Sequence, residues 1–289
     1  MKTFNMKRDD KVTIYISTCN RIDKLKRAVN SVIAQDYENI EVIICDDCSN
    51  DGTESYVREM QLREPRIVYF RNEINLGACA TRNLAIKNAT GKYITGLDDD
   101  DEFTSDRVSK FMEAWDNKYS FICANFIEKY SNGNDKIYYD ESEYIGNYKN
   151  LLFANVASNQ IYTLTENLQS IGGFDIRAKG YQDWDTWLRP SYKYGDFMRL
   201  PYATYIMHHD HSFGEVRVSK SYPSTKALID MRDRNLNIYK GEYLEYMNLL
   251  ISQMEGKTKL LPSIKWAFKN KSINPIIKFI FKKQFINAD

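Results

Sequence analysis

Four consecutive aspartates, Asp98 to Asp101, close the segment KYITGLDDDD, and so many like charges straight after an apolar run call for a cation to offset them. Hard divalent ions such as Mg²⁺ and Mn²⁺ take carboxylate and diphosphate oxygens together, so a DxD pair at such a place can bridge a chain to a nucleotide. A solvated acidic loop is the ordinary alternative for a charge run. Asp46 and Asp47 end a second apolar run, IEVIICDD. Asp-rich turns often only satisfy their own backbone, but Asp47, at the tip, is the better placed of the two to accept a hydrogen bond from the imide nitrogen of uracil. Gln182-Asp183-Trp184-Asp185 opens a helical pattern. Its acids can serve only to stabilise a helix N-terminus, and Trp184 and Trp187 read by default as core or wall. A hydroxyl that attacks carbon must nevertheless lose its proton to a base within hydrogen-bond reach, and Asp183 is the candidate. All three histidines of the chain fall within His208-His209-Asp210-His211, where one of them can complete a metal shell.

The elements that must position these residues follow from hydrophobic period. VTIYIST from Val12, IEVIICDD from Ile40, RIVYF from Arg66 and KYITGL from Lys92 read as strands. Helical patterns follow the first three: Leu25, Ala28, Val29, Val32 and Ile33, then ESYVREMQLRE, then Ala78 to Ala89. Strand alternating with helix predicts a mostly parallel sheet with right-handed crossovers. Ligands bind such sheets at the carboxyl ends of the strands. The polar loops Ser17 to Arg21, Asp46 to Thr53, Arg71 to Gly77 and Asp98 to Glu102 all lie there. Later segments are more mixed. A helix over Asp106 to Trp115, a strand in SFICANFIEKY, a helix from Gln182 that stops before Pro190, and a strand in LPYATYIMHH are expected, then one or two helices between Thr225 and Glu255.

A chain of 289 residues with 43% hydrophobic and 27% charged residues reads as an ordinary globular protein. A net charge of +1 gives no ground for a nucleic-acid partner. The N-terminus lacks the apolar run of a secretory signal, and no stretch approaches a membrane span, so a cytoplasmic protein is expected. Five cysteines without a paired framework suit reduced thiols.

The series TIYISTCNR, DDCSNDGT, NLGACATRN, LDDDDE, and GGFD followed by QDWDTWLR resembles the GT-A glycosyltransferases of family 2, over roughly residues 10 to 220. The resemblance implies an α/β nucleotide-binding fold with a mixed central sheet and an inverting transfer of a hexose from a UDP-sugar. The acceptor would be a hydroxyl of a glycan or of a lipid-diphosphate-linked sugar, in bacterial surface polysaccharide assembly of the O-antigen type. It places the uracil contact on Asp47, the metal-binding DxD on Asp98 and Asp100 with Mn²⁺ or Mg²⁺, and the general base on Asp183. Arg82 becomes the basic residue near the nucleotide and His209 the late metal ligand. Ser17, Asn20, Asn75 and Asp98 are further expected contacts to the nucleotide sugar, and Gly173 and Trp184 to the acceptor. Cys19 stands where relatives often carry an aromatic residue, and Gln182 where they commonly have Glu. Four aspartates also blur the register of the DxD, with Asp99 and Asp101 as the alternative.

A sugar-nucleotide pyrophosphorylase would need a glycine-rich phosphate loop after the first strand, and no glycine occurs before Cys48. Dinucleotide and P-loop motifs are missing for the same reason. A non-catalytic glycan-binding module fits the 13% aromatic content but not an acidic metal site. The expected layout is a GT-A domain over residues 1–222 and a C-terminal helical extension over 223–289. Between Glu255 and Asp289 lie eight lysines and no acid, interleaved with apolar residues and interrupted by Pro275. Two readings stand for this tail: it packs its apolar side onto the protein, or it lies on an anionic membrane at the inner face of the cell.

Overall fold

Runs of β-branched and aromatic residues form strands wherever a sheet is covered on both faces. Val12–Thr18 (β1), Ile40–Asp46 (β2) and Tyr93–Asp98 (β4) are such runs, buried along almost their whole length. In the computed structural model, which describes residues 10–140, 142–210, 222–269 and 271–286, β1 lies parallel between β2 and β4. Ile67–Arg71 (β3) is parallel to β2 on its other side. Helices make the crossovers: Ile22–Ile33 (α1), Thr53–Arg63 (α2) and Ala78–Asn88 (α3). The first buries Leu25, Ala28, Val29 and Val32, one face of a helical period. Its N-terminus is closed from another loop, because Asp51 Oδ2 accepts from the Ile22 N–H at 2.9 Å.

Past the aspartates the sheet becomes mixed. Glu102–Phe103 (β5), Arg107–Ala114 (α4), Phe121–Tyr130 (β6), Lys136–Ile137 (β7), Tyr144–Gly146 (β8), Tyr148–Leu151 (α5), Ile161–Leu164 (β9), Thr165–Ser170 (α6), Gln182–Tyr194 (α7) and Phe197–His209 (β10) follow in order. The strands run β3-β2-β1-β4-β9-β6-β10-β5 across a ten-stranded sheet. β9 is antiparallel to both β4 and β6, and β10 is parallel to β6 but antiparallel to β5. The first four strands are parallel as their alternation with helices requires, and the antiparallel pairings come from the segments whose patterning was mixed. One expectation is corrected. The α7 helix does not stop before Pro190 but runs through it to Tyr194. A proline inside a helix costs about 3 kcal/mol. Trp184, Trp187, Leu188 and Ser191 are buried on both sides of it, and each large apolar side chain contributes about 1.5–3 kcal/mol on burial.

The chain forms two compact units, Met1–Arg177 with Gln182–Glu215, and Ala178–Tyr181 with Val216–Asp289. The second contains Ser224–Arg234 (α8), Glu242–Met254 (α9), Leu260–Lys269 (α10) and Asn274–Ile286 (α11). Pro275 opens α11 in its first turn, where a missing N–H costs nothing, so the tail is two helices as its sequence predicts. Trp266 is buried against Tyr246, ring centres 4.7 Å apart.

Candidate active site

The carboxyl ends of β1, β2 and β4 meet because their registers align: Ser17 lies between Cys45 and Asp98, and Thr18 is level with Asp46. β4 ends at Asp98, and a turn over Asp99 and Asp100, closed by the Asp101 N–H on the Asp98 carbonyl at 3.1 Å, divides the four aspartates. Asp99 and Asp101 turn inward and are buried, whereas the side chains of Asp98 and Asp100 remain 23% and 18% exposed. The outward pair has the DxD spacing.

The inward pair is held by the chain itself. Asp99 accepts from Thr18 Oγ1 at 2.7 Å and from Arg21 Nη1 at 3.1 Å. Burial lifts its carboxyl to about 6, with Asp100 adding to the rise and Arg21 opposing it. Asp101 accepts from the Tyr205 hydroxyl at 2.8 Å and the His208 N–H at 2.9 Å, and burial holds it well above the ordinary carboxylate range. The outward pair faces arginines: Asp100 meets Arg21 at 3.1 Å, and Asp98 Oδ1 meets Arg82 at 3.0 Å and Gln160 Nε2 at 3.1 Å. The charge concentrated in the sequence is therefore offset in part by the chain's own arginines and in part by burial that favours neutral acids.

Two carboxylates with hard oxygens suit a Mg²⁺ or Mn²⁺ that brings its remaining ligands as diphosphate and water. Among the described residues, no group of three His, Cys, Asp or Glu side chains is gathered as a full protein cage would need. His209, expected as the late metal ligand, lies near the end of β10. It pairs in register with Tyr130 on β6, stacks on that ring at 4.4 Å between centres, and its Nε2 lies 3.2 Å from Glu128 Oε1. His208 is the histidine beside the acidic loop, through its backbone N–H, and its ring sits 3.5 Å from Glu102. His211 falls outside the described residues.

Asp183 stands in the first turn of α7 within electrostatic reach of Arg82 and Asp98. Its Oδ1 is buried with no hydrogen-bond partner. Burial raises its carboxyl to about 7, against the pull of Arg82 and with reinforcement from Asp98. A buried, unmatched carboxylate oxygen is costly in a structural role. Arg82 donates to Gln182 Oε1 at 2.9 Å and to Asp98, and its positive charge is reinforced by Asp98 and Asp183 in excess of what burial removes.

Other expected contacts are engaged differently. Asp47 is buried, and its carboxylate accepts from the N–H groups of Leu76 and Gly77, both at 2.8 Å, and from Asn72 Nδ2 at 2.9 Å. It ties the third loop to the second. Asn75 donates to Cys19 Sγ at 3.3 Å in the same cluster, and Asn20, with φ +54°, receives the Asn50 N–H on Oδ1 at 2.8 Å. Trp184 turns into the core and donates from its indole to the Leu151 carbonyl, which makes it a wall rather than an open face. Gly173, φ +65°, exists for Asn83: a Cβ there would lie 2.3 Å from Asn83 Oδ1. Sequence reasoning missed Tyr15, Gln160 and Tyr205. Arg21 had a usable signal as a basic residue in the first polar loop, but Gln160 and Tyr205 reach the aspartates only through later strands.

This architecture and site define a glycosyltransferase of the GT-A nucleotide-binding type. The profile of glycosyl transferase family 2 matches residues 13–172, and the chain belongs to that family. It is 38% identical over 223 residues, 75% of this chain and 78% of the other, to the putative colanic acid biosynthesis glycosyl transferase WcaA of Escherichia coli (strain K12). It is 38% identical over 122 residues, 41% of this chain and 47% of the other, to the UDP-Glc:alpha-D-GlcNAc-diphosphoundecaprenol beta-1,3-glucosyltransferase WfaP of Escherichia coli. A similar fold occurs in S. aureus TarS 1–349, solved in complex with UDP-GlcNAc, with a TM-score of 0.64 at 19% identity, covering 86% of this chain and 72% of that one.

Proposed function

We propose that this chain transfers a hexose, with inversion, from a UDP-sugar to a hydroxyl of a lipid-diphosphate-linked glycan during bacterial polysaccharide assembly. The observation that carries the reading is Asp183, a carboxylate raised to about 7 with one buried oxygen unpartnered, within electrostatic reach of Arg82 and Asp98. Asp183 takes the acceptor hydroxyl's proton as that oxygen bonds to the anomeric carbon. The bond from that carbon to the diphosphate breaks, and the nucleotide leaves with the electron pair. Attack from the face opposite the leaving group inverts the centre. Arg82 offers positive charge to the departing diphosphate. Asp98 and Asp100 would hold a Mn²⁺ or Mg²⁺, which when bound neutralises charge on the leaving group.

Likeness to WfaP, whose name specifies UDP-Glc and a diphosphoundecaprenol acceptor, supports this choice of donor and acceptor class. The basic tail, with exposed apolar residues, supports placing the protein against an anionic membrane, where such acceptors reside. The test is a panel of nucleotide sugars offered with lipid-diphosphate acceptors, with and without Mn²⁺. Transfer from UDP-hexoses that requires the metal is expected. Transfer from a non-uridine donor alone, or undiminished activity in chelator, would overturn the donor or the metal assignment respectively.

A further inference from the structure

Gln160 directly precedes β9 and is fully buried. One end of its amide touches Asp98 Oδ1 at 3.1 Å, and the other touches the Tyr15 hydroxyl at 3.1 Å. Chemistry fixes which end is which. An ionised carboxylate only accepts, so the NH₂ must face Asp98, leaving Oε1 to take the Tyr15 proton. The chain makes room for this contact. Residue 96 is glycine, and a Cβ there would fall 2.2 Å from Gln160 Oε1 and 2.4 Å from Tyr15 Cζ.

Arg82 donates to the same Asp98 oxygen at 3.0 Å. A guanidinium is drawn to phosphate, and bidentate pairing with phosphate is among its strongest contacts. An arriving diphosphate thus competes with Asp98 for Arg82. An amide carries no net charge and has no such inducement to leave. Releasing Asp98 would also strand a buried donor.

We infer that Gln160, braced by Tyr15, is a positioning residue of the donor site: it keeps the Asp98 carboxylate in one orientation when the donor diphosphate engages Arg82. The inference rests on the proposed role of Asp98 toward the donor and its metal. Losing a group that orients a metal-binding carboxylate typically costs about 10- to 100-fold in metal affinity.

The experiment is calorimetric titration of the full-length protein with UDP over a series of Mn²⁺ concentrations, for wild type, Gln160→Met, Tyr15→Phe and Asp98→Ala. Gln160→Met keeps length and volume but removes both hydrogen bonds. It should raise the Mn²⁺ concentration that half-saturates UDP binding by roughly tenfold or more, and Tyr15→Phe should raise it by less. A merely structural role would lower the melting temperature and leave this metal requirement in place. If Gln160→Met retains the wild-type Mn²⁺ requirement while Asp98→Ala weakens UDP binding, the inference is overturned and the Asp98 reading stands. If Asp98→Ala itself binds UDP with Mn²⁺ as wild type does, the donor-site reading fails and takes the inference with it. Should Gln160→Met not fold, Tyr15→Phe, which removes a single oxygen, decides the matter on the same measurement.

Discussion

At the scale of single residues, the acidic loop shows how a turn at a strand end sorts chemistry from structure. The strand ends at Asp98 and the chain turns over Asp99 and Asp100, so that of four adjacent aspartates two are buried against Thr18, Tyr205 and the His208 N–H, and two face arginines. The acidic cluster was legible in the sequence but its register was not, because both alternating pairs have the DxD spacing. Arg82 was in view as the basic residue near the nucleotide and Arg21 as part of the first polar loop, but their pairing with Asp98 and Asp100 depends on the fold. Asp100→Ala is expected to remove metal-stimulated turnover while leaving the unfolding transition intact, and turnover of that variant with an unchanged Mn²⁺ response would refute the metal role. Asp183 carries a pH signature. Its carboxyl, raised to about 7, is protonated and idle as a base below that value, so kcat/KM should climb as pH rises through about 7. Asp183→Asn should flatten that limb and slow transfer by about two to four orders of magnitude, the usual worth of a general base. A wild-type profile in this variant would move the role elsewhere.

At the scale of elements, the first four strands were readable with their parallel order, and β6 and β10 as strands, but the short β9 that joins the two halves was not. Strands β1, β2 and β4 are continuous buried runs separated by amphipathic helices, a local signal repeated along the chain. β9 is four residues long and finds its place only by pairing with β4 on one side and β6 on the other. No periodicity in four residues can announce that, and Gln160 stayed invisible with it. Pro190 was misleading for a related reason: a local rule about helix ends was overridden by burial contributed from the rest of the domain. The close approach of β4 and the residue before β9 makes Gly96 a sensitive position. Gly96→Ala puts a methyl within 2.2 Å of Gln160 Oε1, backed by the Tyr15 ring. Overpacking of this kind costs about 1–3 kcal/mol. For a domain of this size each kcal/mol lowers the melting temperature by about 2–4 °C. Thermal unfolding of Gly96→Ala should show that drop together with weakened UDP binding, and a melting curve superimposable on wild type would mean the neighbouring side chains yield freely.

At the scale of the whole molecule, the C-terminal helices satisfy part of each reading of the tail. Ser263, Trp266 and Ala267 are buried, and Gln253 Nε2 donates to the Pro275 carbonyl at 3.1 Å, so both tail helices belong to the packing of the second unit. Leu261 and Phe268, 80% and 81% exposed, and Ile273 are not covered by it. Lys265 and Lys269 pair with Glu245 and Glu242, whereas Lys271 and Lys278 have no carboxylate partner among the described residues. Among the described residues no helix is long and apolar enough to cross a membrane. Deleting the tail would therefore strip the unit of its own core and answer nothing, but the uncovered residues can be changed alone. Phe268→Ser with Ile273→Ser removes apolar anchors, and Lys271→Glu with Lys278→Glu reverses two charges that have no carboxylate partner among the described residues. Each lysine near an anionic surface is worth roughly 1 kcal/mol and is screened by salt. Both double variants should keep the wild-type circular dichroism and sediment less with phosphatidylglycerol vesicles, most clearly at low ionic strength. Their transfer to a lipid-bearing acceptor should fall further than transfer to a short soluble one. Folded variants that sediment as wild type does would mean that these exposed side chains do not meet a membrane, and the tail would then be structural alone.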